Sequence, residues 1–243
     1  PAAAAMTAIT DEAAAGPARR SAREARARIV LAACLLALLA TGILSAGVGA
    51  VAIPPLGVVR LLAAPLGLDG GEAVDPGHAM VFWSIRLPRL VLAVLVGASL
   101  GAAGTVMQGL FRNPLADPGL IGVSSSAALA AVATIVLGIG WIDDAIRPYA
   151  LPAAAFLGGL AGTMVVWRVG TIAGQTHPAT TLLAGIAVNA VAQAGIGFLV
   201  FLSDEQQLRD LSFWLLGSLA GATWPSVLPA VLVMLVPLLA LPV

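Results

Sequence analysis

The chain contains no lysine: its 12 basic residues are all arginine, and 12 acidic residues bring the formal net charge to zero. Without lysine there is no Gly-x4-Gly-Lys-Ser/Thr loop to cradle ATP phosphates. Without a net positive field, nucleic acid is not an expected partner. Charge of either sign is scarce. Only 10% of residues are charged, against about 25% in soluble domains, so water cannot be the main solvent. The single cysteine, Cys34, excludes an internal disulfide and a cysteine-based metal centre. His78 and His177 are the only histidines and lie far apart, and no clustered ligand set accompanies either. No metal, cofactor or catalytic centre is therefore expected of this chain.

What the 243 residues have instead is apolar length: 60% are hydrophobic and the mean hydropathy is +1.01. A bilayer-crossing helix needs about 20 mainly apolar residues. Runs of that kind lie near Ile29–Ala52, Leu90–Leu110, Leu120–Ile139, Tyr149–Val169, Thr180–Leu202 and Trp224–Val243. The expected fold is all-α, a polytopic transmembrane helical bundle with about six spans. Residues 1–28 read as a flexible tail, and 29–243 as the transmembrane domain. The first apolar run is longer than the 7–15 residues of a signal-peptide core, so it reads as an uncleaved span. Arg19, Arg20, Arg23, Arg26 and Arg28 precede it and predict a cytoplasmic N-terminus. Two short apolar segments, Leu56–Leu68 and Leu211–Ala222, are too short to cross and read as interfacial or re-entrant helices.

Several residues stand out against this background. Arg86 and Arg89 bracket Leu87-Pro88 at the outer mouth of the second span. Guanidinium groups there either anchor to lipid headgroups or pair with carboxylates of an external partner. Gly97, Gly101 and Gly104 form a small-residue face suited to helix packing, and Gly158/Gly162 and Gly217/Gly221 repeat the spacing. Asn113-Pro-Leu-Ala-Asp-Pro-Gly119 reads as a rigid cytoplasmic turn that starts the third span. Asn189 and Gln193, four residues apart, share a face of the fifth span and either bridge helices or line a wet path. Ser124 in Gly122-Val-Ser-Ser, taken with His177, matches a loose nucleophile pattern and supplies an alternative function, an intramembrane serine protease.

The run from Arg86-Leu-Pro-Arg89 through Met107-Gln108 and Asn113–Gly119 to Gly122-Val-Ser-Ser125 resembles the permease subunits of ABC importers for iron–siderophore complexes, haem and cobalamin. Leu183-Ala-Gly-Ile-Ala187 and Phe213-Trp-Leu-Leu-Gly-Ser218 are also similar to that family, and the likeness extends over nearly the whole chain after Pro54. The resemblance implies a multi-pass protein of the bacterial inner membrane that works as a homodimer. It implies two ATPase subunits on the cytoplasmic side, which carry the ATP and Mg, and a periplasmic substrate-binding protein outside. Arg86 and Arg89 match the family's outer arginines, which engage glutamates of the binding protein. Asn189, Gln193, Leu211, Trp214, Gly217 and Ser218 are then candidates for the border of the translocation path. Family members have about ten spans. The resemblance therefore implies truncation at the C-terminal end and the loss of a cytoplasmic coupling segment that follows the sixth span.

Overall fold

A computed structural model describes residues 2–67, 75–138, 143 and 145–240, with side chains from Glu24 onward. The expected segment ends at Leu68, Ile139 and Val243 lie outside the described residues. The chain divides into two compact units, Pro1–Leu90 and Val91–Val243.

In the first unit, helix α1 spans Ala2–Gly47. The leader expected as a tail is thus part of this helix, and the apolar portion begins at Glu24. Helix α2 (Pro55–Ala63) starts on a proline, whose fixed φ and missing N–H suit a first turn. It continues as a short 3-10 turn, Ala64–Leu66, and Gly67 in the left-handed region ends it. Helix α3 (Pro76–Val81) starts on Asp75, whose carboxylate accepts from the Gly77 and His78 amides at 2.7 and 3.2 Å. A π-helical turn, Phe82–Arg86, follows, and the Leu87 amide reaches back to the Phe82 carbonyl. Pro88 explains the turn: a proline cannot donate into an α-helical ladder and its ring crowds the carbonyl four residues earlier, so one wide turn relieves the clash. Ala46, Ile53, Val58, Leu61 and Phe82 form the core of this unit.

Helix α4 (Leu87–Phe111) begins at the end of the first unit, and residues Pro76–Phe111 form one apolar helical run of 36 residues. The second unit is built on α5 (Val123–Ala133), α6 (Arg147–Gly170) and α7 (Pro178–Leu202), which pack on one another. Small residues permit that packing. A Cβ on Gly158 would lie 2.4 Å from the Ala130 methyl, and one on Gly162 would lie 2.1 Å from Ser126 Oγ. Strands β1 (Thr171–Ile172) and β2 (Gln175–Thr176) form a two-residue hairpin between α6 and α7. Its central residues, Ala173 and Gly174, take φ of 51° and 78°, the primed turn that matches strand twist. Helix α8 (Glu205–Leu216) opens with a capping box in which Asp204 and Gln207 satisfy each other's amides. Helix α9 (Trp224–Ala240) closes the described chain.

Among the described residues, four helices are long and apolar enough to cross a bilayer: Glu24–Gly47, Pro76–Phe111, Arg147–Gly170 and Pro178–Leu202. The architecture is an all-α membrane bundle. Two of the six expected spans are shorter apolar helices among the described residues. The third is Val123–Gly138, because Gly122 at φ 78° ends the preceding 3-10 turn (Pro118–Ile121) and forces a new helix to start there. The sixth is Trp224–Ala240. The described part of each rises about 25 Å. The short helix expected at Leu211–Ala222 is shifted: capped by Asp204 it starts at Glu205, six residues earlier, and Gly217 at φ 74° stops it after Leu216.

Large apolar side chains remain outside, among them Leu36, Phe156, Trp167, Leu183, Val191 and Phe201. In water such a surface would drive association, whereas in a bilayer it faces a matching solvent.

Candidate functional site

The outer arginines differ sharply in their surroundings. Arg86 is buried, and its two terminal nitrogens donate to the carbonyls of Ala46 and Val51. Ala46 sits in the last turn of α1, where carbonyls lack intrahelical partners. The planar guanidinium fork satisfies that end and the following loop together. The π turn places Arg86 and Phe82 on the inner side of the same helix, and both are buried. Arg89, three residues on, is half-buried. The structure therefore gives Arg86 an internal clamp, where the motif alone suggested a side chain directed outward.

The Asn113–Gly119 turn is braced at several points. Helix α4 ends with Arg112 at φ 48° and the Asn113 amide bonded back to the Gln108 carbonyl at 3.2 Å, a left-handed helix cap. Gln108 Nε2 donates to the Pro114 carbonyl at 3.0 Å. Asn113 Oδ1 accepts from the Leu115 amide at 2.9 Å, and Asp117 Oδ1 from the Gly119 amide at 2.7 Å. Pro118 then starts the 3-10 turn. The expected rigid turn is present, and Leu115 stands at its tip, 85% exposed.

The six residues expected near a path separate into two groups. Leu211 is buried with Val132, Ile135, Ile196 and Leu199 and packs the bundle. Asn189 is half-buried; its Nδ2 donates to the Gly119 carbonyl at 3.3 Å and its Oδ1 accepts from Ser125 Oγ at 2.5 Å. Asn189 thus bridges α7 to the start of α5, as a polar amide at membrane depth must if it does not face water. Gln193, Gly217 and Ser218 are exposed and Trp214 is half-buried. Trp214 lines a cavity of about 400 Å³ with Ile135, Leu151, Gln207, Asp210 and Phe213. Gln207, which the sequence reading passed over, serves this corner twice. Its Oε1 accepts from the Asp204 amide at 3.1 Å, while its Nε2 donates at 3.3 Å to the Val136 carbonyl. That carbonyl lies in a second π turn, Thr134–Gly138, where the α-helical ladder is interrupted. The capping-box spacing Asp-x-x-Gln was the readable signal.

The small-residue faces also divide. Gly158 and Gly162 pack α6 on α5, but nothing among the described residues lies within 4 Å of a Cβ placed at Gly97, Gly101 or Gly104. Gly217 and Gly221 lie beyond the end of α8 and form no helical face. A larger groove of about 640 Å³ among α5, α6 and α7 is lined by Ala, Val, Gly and Leu with Ser126, a surface with little to hold a charged substrate. Ser124 is exposed near the start of α5, whereas His177 precedes α7; among the described residues no hydrogen bond joins them, so the nucleophile–base geometry of a protease is not assembled.

Comparison with known proteins bears on this architecture directly. Residues 36–242 match the FecCD transport family. The chain is 46% identical over 150 residues to the hemin transport system permease protein HmuU of Yersinia pestis, covering 62% of this chain and 44% of that protein. It is 41% identical over 174 residues to the cobalamin import system permease protein BtuC of Halobacterium salinarum, covering 70% of this chain and 44% of the relative. It is 37% identical over 178 residues to the vitamin B12 import system permease protein BtuC of Escherichia coli, covering 70% and 52%. The chain thus spans about half the length of the curated relatives it matches. Among solved structures, an inward-facing conformation of a metal-chelate type ABC transporter superposes with a TM-score of 0.64 at 27% identity, over 83% of this chain and 57% of that one. A braced Asn-Pro-Leu-Ala-Asp-Pro-Gly turn, an internal outer arginine and a packed membrane bundle therefore sit in a chain that belongs to the FecCD transport family.

Proposed function

We propose that this chain belongs to the permease subunit of an ATP-driven importer. Its cargo is a large iron-bearing ligand, haem or a ferric siderophore, or else cobalamin. The importer sits in the bacterial inner membrane with the N-terminus of this chain in the cytoplasm. A second permease copy, two ATPase subunits that hold ATP and Mg, and a periplasmic binding protein complete it. The observation that carries the reading is the family match over residues 36–242, supported by the hemin and cobalamin systems to which two similar relatives belong. The absence of lysine, and with it of a phosphate-cradling loop, supports hydrolysis on a separate polypeptide.

The binding protein docks at the outer arginines. Arg89 supplies charge to the surface, and Arg86 shapes it from within through its two carbonyl contacts. Cargo then passes a border formed by Gln193, Trp214, Gly217 and Ser218, which the bundle leaves exposed or half-buried. Alternating closure moves the permease halves. A path that releases its cargo must bind it weakly, which suits a border of uncharged side chains. The test is ATP-dependent uptake of labelled haem, ferric siderophore or cobalamin by the full importer, with binding-protein affinity measured in parallel. Arg89→Glu is expected to weaken docking about tenfold or more, since an interfacial charge reversal costs at least 1.4 kcal/mol. Undiminished docking would refute the arginine's role, and no ATP-dependent uptake of any of the three cargoes would refute the permease reading.

A further inference from the structure

We propose that Asn189 is a positioning residue that makes the 113–122 turn and helix α7 one moving piece. The proposal rests on the permease reading, because it concerns motion during transport, and goes beyond it by assigning the part that moves.

The hydrogen bonds have one consistent arrangement. Ser125 Oγ lies 2.5 Å from Asn189 Oδ1 and 3.1 Å from the Gly122 carbonyl, but a hydroxyl has a single proton. Asn189 Oδ1 has no proton of its own, so two oxygens 2.5 Å apart require the Ser125 proton between them. The Ser125 proton therefore goes to Asn189, whose Nδ2 in turn donates to the Gly119 carbonyl at 3.3 Å. Reversing the amide would set two carbonyl oxygens against each other at Gly119.

Packing independently joins the same two elements. A Cβ on Gly185 would lie 2.2 Å from the Leu120 carbonyl oxygen and 2.8 Å from Ile121 Cα, so backbone lies on backbone. A Cβ on Gly122 would lie 2.9 Å from Val188 Cγ1. Gly185, Val188 and Asn189 follow at helical spacing on one face of α7, and all three touch the 119–122 segment. That segment is braced inward to Leu115 by Asp117, Asn113 and Gln108. Displacement of α7 is thus carried to the exposed tip at Leu115 with no loose joint between them. Two rigidly joined elements of this kind are what a coupling route requires.

Spin labels at Leu115 and Val191, both exposed, test this in the full importer with Cys34 replaced by serine. The expected result is a narrow distance distribution with the same mean in nucleotide-free and ATP-bound states. Asn189→Ala is expected to broaden it and to reduce cargo moved per ATP hydrolysed by about fivefold or more, the lower range of coupling between sites. Ser125→Ala, which removes one of the two bonds, should broaden it less and serves if the first variant does not assemble. A mean that shifts between states in the unmodified importer would overturn the proposal. So would an Asn189→Ala variant that stays narrow, whether or not uptake falls. Failure of ATP-dependent uptake by the unmodified importer would count against the permease reading alone, because the distances report the tie whatever the cargo.

Discussion

Replacing Gly185 by alanine sets a local preference against a tertiary one. In the middle of a helix, Gly→Ala ordinarily stabilises by up to about 1 kcal/mol, because glycine loses more backbone freedom on folding. Helix α7 offers a matched control in Gly197, where an added Cβ would meet nothing within 4 Å. At Gly185 the same methyl would sit 2.2 Å from the Leu120 carbonyl oxygen, whereas ordinary contact begins near 3.4 Å. The 119–122 segment must then retreat by about an ångström, and overpacking of that kind costs about 1–3 kcal/mol. Retreat also stretches the 3.3 Å bond from Asn189 to Gly119 past useful length, a further loss of about 0.6 kcal/mol for a bond within a membrane bundle. Gly185→Ala is therefore expected to destabilise by about 1–3 kcal/mol and Gly197→Ala to stabilise by about 1 kcal/mol. At 2–4 °C per kcal/mol for a chain of this size, their melting temperatures should differ by on the order of 10 °C. Thermal unfolding of the purified protein in one detergent, followed by circular dichroism, reads the difference. Equal melting temperatures for the two variants would show that the turn does not lie against α7 as described.

Arg86→Ala leaves the Ala46 and Val51 carbonyls without their donor, at about 1–3 kcal/mol for each one that stays dry. Hydrogen exchange of the Val48–Ile53 amides should accelerate, and Arg86→Lys should restore little because an ammonium lacks the fork that spans both acceptors; unchanged exchange in the alanine variant would refute the clamp. Asp75, outside the membrane-spanning segments, has its pKa held below the ordinary 3.8 by the His78 and Gly77 amides and then by the nearby His78 charge. Its folded value is depressed, so its support of the α3 start is complete above pH 3.8 and fades as pH falls through the lower folded value. Amide exchange at Gly77 and His78 should rise over that acidic window in the native protein and show no such step in Asp75→Asn.

The apolar runs near Tyr149–Val169 and Thr180–Leu202 predict helices that the structure confirms to within a few residues, because twenty apolar residues in lipid must close their hydrogen bonds within the segment. The turn at Asn113–Gly119 was equally plain, since Asx and proline chemistry acts over two or three residues. The Leu120–Ile139 run marked an apolar helix but not its start: hydropathy sums over a window and does not register a left-handed Gly122 that restarts the helix. The small-residue spacing at Gly97–Gly104 and at Gly158–Gly162 is the same in sequence, yet only the second meets a neighbour within the described residues.

By itself the amino-acid sequence determined that this protein is a membrane bundle, and which short segments turn, because solvent matching and local hydrogen bonding depend on composition and near neighbours alone. Only the tertiary structure decided that Arg86 closes on the end of α1, that Leu211 packs inward and that Asn189 joins α7 to a turn 70 residues earlier in the chain. Those outcomes depend on which face each helix turns to another. Side chains with the same donors and acceptors serve a surface, a path or a clamp according to the carbonyl that lies within 3 Å or so of them.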